Sequence, residues 1–238
     1  MYKPLTADSI FKSLVASILG LLPIGTSAVE VQNHGLWFEH WLCDTFFDGY
    51  RPPRYTQKWD IPAQINTRHG QLPVNPKASK LGSPIGLGDA LRQFDIAQGR
   101  EKFILIVGFW EQTNATTKTW ANVQTVTVTP EQWRQLWHPI TRSDLERLDA
   151  VIKDTTLTLE ETRVRAQAIK SKPPFTDSII SLNPKIDQSQ RRLQCSLRFH
   201  AFFDHLLPQA SRTRQETPSV WSIPVPEVPN AGARTFKE

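Results

Sequence analysis

The chain is short of everything that would mark it as cross-linked, membrane-spanning or repetitive. It carries two cysteines in 238 residues, Cys43 and Cys195, far apart in the chain. No CxxC spacing suggests zinc, and a lone pair in a chain of this size is no disulfide framework, so both read as reduced thiols of a cytoplasmic protein. No apolar run approaches the ~20 residues a membrane helix needs, so no membrane partner is expected. The nearest candidate, IFKSLVASILGLLPI over residues 10–24 followed by TSA, imitates a secretory leader with its small-residue cleavage site. Its apolar positions Ile10, Phe11, Leu14, Ile18, Leu21 and Leu22 nevertheless fall at helical spacing, and the segment reads as a buried amphipathic helix capped by Thr6 and ended by Pro23 and Gly25. A secreted protein with a cleaved leader is the remote alternative. No internal repeat supports a solenoid. Charge of one sign is also scarce: 28 basic residues face 23 acidic ones, a net +5, which permits a polyanionic partner without demanding one.

What is present describes one globular α/β domain. Hydrophobic residues make up 39% and charged residues 21%, and eight Trp with twelve Phe supply a large aromatic payload for packing. A helix is expected from about Gly35 to Phe47, with Phe38, Trp41, Leu42 and Phe46 as its apolar stripe and Glu39 set among them. Residues 58–65, KWDIPAQI, alternate as a strand does. NTRHGQ reads as a turn and 72–78, LPVNPKA, as the returning strand. Pro62, Pro73 and Pro76 cannot donate to a ladder, so this pair is irregular or lies at an edge. A loop over 82–88 leads into the helix DALRQFDIAQ. KFILIVGFW, residues 102–110, reads as a strand buried on both faces, and 121–128 as another. Capping boxes at Thr129/Gln132, Ser143/Glu146 and Thr158/Glu161 announce three helices. SIISLNPKID and QRRLQCSLRF form a second hairpin, and AFFDHLL a short helix. The order predicts a mixed central sheet flanked by helices, with a helical insert and that second β-hairpin.

The first strand pair carries the chemistry. Residues two apart share a side, so Asn75 and Lys77 can face Asp60 across the pair. A carboxylate holds a hard cation, and an amine beside it can act on water and phosphate. Asp60 and Lys77 supply that pair; an Asn75 oxygen is a further ligand, and Glu39 adds a second carboxylate from the preceding helix. The bland reading of Asp60 and Lys77 is a surface ion pair beside a hairpin, and of Glu39 a satisfied polar residue in an aromatic helix.

The order Glu on a helix, Asp on a strand, then x-Lys on the next strand resembles the PD-(D/E)xK nuclease superfamily. Within it, LPVNPKASKLGSPIGLGDALRQF followed by FILIVGFW resembles type II restriction endonucleases, and LNPKIDQSQRRLQCSLRF is similar to a stretch seen in some of them. The resemblance covers roughly residues 30–200. It implies a restriction-endonuclease-like fold and sequence-specific hydrolysis of double-stranded DNA with Mg2+ held by Asp60, Asn75 and Glu39. It assigns Lys77 to the water and the phosphate, and it brings a homodimer and a companion DNA methyltransferase. Two departures stand out: Trp59 replaces the proline before the aspartate, and Asn75 stands where Asp or Glu is usual. Glu39, or Glu111 after the central strand, must then compensate for the missing charge. The organisation so implied is a single nuclease domain over 1–207, with a core at about 30–128 and the insert and hairpin at about 129–200. An extended or partly disordered arm follows over 208–238.

The second hairpin is the candidate DNA reader. Arg191, Arg192 and Gln194, with Lys185 nearby, combine phosphate-binding and base-reading side chains, since Arg forks onto guanine and Gln onto adenine. The bland reading is a charged edge strand that discourages aggregation. Lys80 is a further phosphate contact or a plain solvated lysine. Two other functions share these residues: a structure-selective repair or junction nuclease, and a DNA-binding relative whose metal site was lost through Asn75.

Overall fold

In the computed structural model, residues 26–53, 57–114 and 118–227 are described, with side chains from Gly35 onward. The chain divides into two compact units, 1–33 and 34–238; the amphipathic helix expected over 6–22 lies outside the described residues. From His34 onward the chain belongs to the larger unit.

The elements follow in the order α1 (Thr26–Phe46), β1 (Val74–Lys80), β2 (Ile85–Asp89), α2 (Ala90–Gln98), β3 (Phe103–Gln112), β4 (Lys118–Val128), α3 (Pro130–Trp137), α4 (Arg142–Lys153) and α5 (Leu159–Lys170). The hairpin β5 (Ile180–Ile186) and β6 (Arg191–Leu197), then α6 (Phe199–Leu206), β7 (Ser219–Val220) and β8 (Ile223–Pro224) complete it. The fold is mixed α/β, as the element pattern predicts. One sheet has the order β1-β3-β4, a second β2-β6-β5, and β7 pairs with β8. Among the described residues no helix is long and apolar enough to cross a membrane.

β3 organises the core. Its alternate residues Phe103, Leu105, Val107 and Phe109 enter one apolar cluster, shared with α2 to α6 and the second sheet. Ile104, Ile106 and Trp110 enter the other, against Phe38, Leu42 and Phe46 of α1. An uninterrupted apolar run is what a strand covered on both faces requires. Gly108 is the break in that run for a steric reason: a Cβ there would lie 2.7 Å from Trp120 and 3.0 Å from Phe38.

The first hairpin is corrected by the structure. Residues 58–65 form no strand; Ile61 and Val74 make a single antiparallel bridge, with Ile61 N to Val74 O at 3.0 Å and Val74 N to Ile61 O at 2.8 Å. Pro62 and Pro73 flank it and have no N–H to extend a ladder. The chain turns instead, and the buried Asn66 side chain closes the turn, donating to the carbonyls of His69 and Leu72 and accepting from His69 N. β1 finds its partner elsewhere, running parallel to β3 with Lys77 opposite Val107. A parallel pair needs a long crossover, which β2 and α2 supply, so the expected loop over 82–88 contains a strand.

Two of the three capping boxes form as expected, Thr129 with Gln132 and Thr158 with Glu161. The middle one uses Thr141 and Asp144 rather than Ser143 and Glu146, because the helix starts two residues earlier, directly after Pro139 and Ile140. The second hairpin is present, with Lys185 opposite Arg192 and Asn183 opposite Gln194. The described residues 209–227 belong to the larger unit, and 211–215 run along the edge of β4. Asn122 donates to the carbonyls of Ser211 and Thr213, and Gln215 N bonds Ala121 O at 2.7 Å. Val220 is fully buried, and Trp221 stacks on His69 at 3.7 Å.

Replacing Gly108 by Val should lower the unfolding free energy by about 1–3 kcal/mol, through overpacking against Trp120 and Phe38. A urea titration reads this directly; an unchanged midpoint would mean the two faces close less tightly on β3 than these distances require.

Candidate functional site

Asp60 and Lys77 meet. The Lys77 ammonium donates to Asp60 Oδ2 at 2.8 Å, to Asn75 Oδ1 at 2.7 Å and to the Pro76 carbonyl at 2.8 Å. Three acceptors match the three donors of an ammonium. The ion pair is largely enclosed, with side-chain exposures of 17% for Lys77 and 30% for Asp60. Strand alternation explains half of this geometry: Asn75 and Lys77 point to one face of β1, Val74 and Ala78 to the other, into the apolar cluster beneath α1. The other half comes from Trp59. Its ring is buried against Phe103, with centroids 5.0 Å apart, and its Nε1 donates to Glu101. Lys58 lies over the ring and bonds the same carboxylate, and that bond, foremost, holds Glu101 below the usual carboxylate range. Trp59 therefore anchors the backbone that presents Asp60.

Glu39 reaches the same place from α1. A pocket of about 210 Å³ is lined by Glu39, Asp60 and Lys77, together with Gln57, Trp59, Gly86, Gly88 and Arg92. Burial pushes the Glu39 carboxyl above its ordinary range, and the nearby Asp60 charge adds to this, against the opposing pull of Lys77 and Arg51. Cys43, on the same helix, is pushed up to about 12 by burial first and Glu39 second. Both cysteines are buried free thiols.

The donor set suits a hard divalent cation in kind: two carboxylates, an amide oxygen and a backbone carbonyl, all oxygen. Burial of the Glu39 carboxyl, with the Asp60 charge as a lesser contribution, disfavours its ionised form in the absence of a cation. Among the described residues no group of three or more His, Cys, Asp or Glu side chains is placed to hold a metal ion, so a cation there would have to draw further ligands from Asn75 and solvent. Glu111 is not part of it, because its carboxylate is bound to Arg214 at 2.8 Å. Lys80 is exposed and lies on the strand parity of Val74 and Ala78, opposite to Lys77.

The hairpin residues divide by the same parity. Lys185, Arg192 and Gln194 share the polar face of the β2-β6-β5 sheet, Lys185 opposite Arg192 and Gln194 opposite Asn183. Arg191 turns inward and bonds the carbonyls of Asp154 and Leu157 and the hydroxyl of Thr162. It ties the hairpin to the α4–α5 connection and has little left to offer a base. Arg163 does similar work, donating twice to the Ile186 carbonyl.

Arg92 is the pocket residue that the sequence pattern alone did not single out. The available signal was a cation in the first turn of a helix, where negative side chains are favoured. No protein-family model, curated protein or solved structure matches this chain.

Truncating Arg191 to Ala should cost roughly 1–3 kcal/mol by leaving those carbonyls unpaired. Arg192→Ala should stay within about 0.5 kcal/mol of the parent. Equal losses in a denaturant series would count against the two roles. Glu39 gives a second prediction for the metal-free protein. Its folded pKa is raised, so its favourable contribution is present below the unfolded pKa and is lost as pH rises through the folded one. Glu39→Gln should therefore melt higher than the parent at neutral pH, and the gap should close in acid.

Proposed function

We propose that the chain is a divalent-metal-dependent endonuclease acting on double-stranded DNA, of the type II restriction kind. The observation that supports it is the convergence of Asp60, Lys77 and Glu39 on one pocket from elements far apart in the chain, with the buried Asn75 bonded to Lys77 behind them. A surface ion pair needs no such convergence, and it needs neither a buried tryptophan to place its aspartate nor a second carboxylate held toward neutrality.

Asp60, Glu39 and Asn75 would hold the cation, in keeping with their all-oxygen chemistry; a bound Mg2+ supplies Lewis acidity toward the phosphate and a more acidic water. The chain's own contribution is positioning and charge. Lys77 gives up one or more of its present acceptors to reach a phosphate oxygen or the attacking water, where its ammonium stabilises developing negative charge. Asp60 and Asn75 hold Lys77 at the pocket until then. Glu39 must lose its proton before it can serve as a ligand, and its raised pKa places that event above the ordinary carboxylate range. The polar face with Lys185, Arg192 and Gln194 continues from the pocket by way of β2, and this favours a long duplex over a small phosphoester. The homodimer, the companion methyltransferase and the cytoplasmic setting belong to the same proposal and rest on the resemblance.

The protein incubated with plasmid and Mg2+ should yield discrete, reproducible fragments, and chelation should stop the reaction. Lys77→Ala and Asp60→Asn should each lower the rate roughly 10²–10³-fold while gel-shift binding to DNA persists. The rate should rise with pH as Glu39 deprotonates, and Glu39→Gln should flatten that limb. A smear, or preferential cutting of branched DNA, would point to a structure-selective nuclease. Tight, salt-sensitive binding with no cutting by the parent would point to a binding protein whose neutral Asn75 leaves the metal site too weak.

A further inference from the structure

Arg92 stands where its charge is a cost to the fold. It is the third residue of α2, and its amide is capped by Asp89 Oδ1 at 2.9 Å. The positive end of the helix dipole disfavours a cation there. Its side chain lines the pocket beside Asp60 and Lys77. Nη1 donates to the Gln57 carbonyl at 3.2 Å, while Nε is buried without any hydrogen-bond partner. Among the described residues no carboxylate lies within salt-bridge distance of the guanidinium. A guanidinium carries five N–H donors in a planar fork; the Nε donor is enclosed without a partner, and the part of the fork left for a ligand is its Nη end.

The floor of the pocket tells the same story. A Cβ on Gly86 would meet nothing within 4 Å, and its φ lies outside the left-handed region. The fold does not require glycine there, and Gly86 lines the pocket with open space where a side chain would begin. Gly88 differs: its φ is +95°, and a Cβ would lie 3.4 Å from Arg92 Nη2. A side chain at that position would be strained by the backbone and would rest in contact with the guanidinium.

We propose that Arg92 is the anion-holding residue of the pocket. Its fork takes up non-bridging oxygens of a phosphodiester that enters over Gly86 and faces Asp60 and Lys77. The fork matches phosphate in a way a lysine ammonium does not. The identity of the diester as DNA rests on the nuclease reading; the anion site rests on the unpaired guanidinium and the open floor around it.

The test uses the full chain with arginine side chains labelled for Nε–Hε spectroscopy, the Arg92 signal being the one absent from Arg92→Lys. Inorganic phosphate, titrated without metal, should move that signal. Arg92→Lys should weaken phosphate binding roughly 10- to 100-fold, the range expected for losing charge-assisted bonds. With plasmid and Mg2+, Arg92→Lys should slow cutting on the order of 10²-fold. Gly86→Leu should keep the parent melting temperature while losing both phosphate and DNA binding, which guards against a variant that merely misfolds. A signal that phosphate leaves in place overturns the assignment, whatever the protein cuts. So does an Arg92→Lys variant that binds phosphate as the parent does. If phosphate moves the signal but the parent cuts no DNA, the anion site stands and the nuclease reading falls.

Discussion

The ammonium of Lys77 is the constraint around which the rest is arranged. A cation this enclosed must find acceptors for its three donors, because desolvation is otherwise repaid by nothing. It finds them in Asp60, Asn75 and the Pro76 carbonyl. Each acceptor makes a demand on the chain. Asn75 and Pro76 require the extended backbone of β1. Asp60 requires a segment without regular structure to be fixed to within hydrogen-bonding tolerance, and Trp59 does this by burying its ring against Phe103. Glu39 is left outside the bonding arrangement, and its burial first, with the nearby Asp60 charge second, holds it toward its neutral form. Asn75 belongs to the same balance. A third carboxylate there would add like charge to a pocket that already disfavours the second, whereas the amide accepts from Lys77 without doing so. The metal-free pocket thus holds two carboxylates, Glu39 and Asp60, and two cations, Lys77 and Arg92, and among the described residues no carboxylate lies within salt-bridge distance of Arg92.

The two sheets meet at this point, which gives the fold a functional logic. β1 belongs to one sheet and β2 to the other, and the turn between them is tied by Ser79 Oγ to the Pro84 carbonyl and by Leu81 N to the Trp110 carbonyl. Gly86 and Gly88 of β2 therefore sit beside Lys77 while belonging to the sheet that carries the hairpin. Neighbouring strands lie about 4.8 Å apart, so Asn183 and Lys185 on β5 lie on the order of 10 Å from β2 across a continuous polar face. Under the proposed function, the pocket and the polar face would be joined through a single edge strand.

Local signals in the sequence were legible. The two-faced burial of β3 is visible in FILIVGFW because every residue of a doubly covered strand must be apolar. The capping boxes are visible because a hydroxyl and a carboxamide or carboxylate at fixed spacing satisfy the same orphan amides wherever they occur. The middle box shows the limit of that signal: Thr141, Ser143, Asp144 and Glu146 offer overlapping solutions, and only the preceding chain decides among them. The pair Asp60 and Lys77 was legible through residue type and order, although the hairpin thought to join them reduces to one bridge. What was not legible is non-local. Nothing in residues 72–80 announces a parallel partner at 103–112. Arg191 and Arg192 are chemically alike, yet strand parity sends one inward to the α4–α5 connection and the other to the surface. Arg92 carries a signal only as a charge in an unfavourable place, and it acquires meaning once Gly86, Gly88 and Gln57 are seen around it.

The central claim is that these side chains form one site for a divalent cation, and manganese tests it without DNA. Calorimetric titration of the full chain with Mn2+ should show a single site per chain whose affinity rises with pH as Glu39 loses its proton, and Asp60→Asn should remove it. A parent that takes up no manganese at any pH at which it remains folded would contradict the claim, as would an Asp60→Asn variant that binds the ion as tightly as the parent.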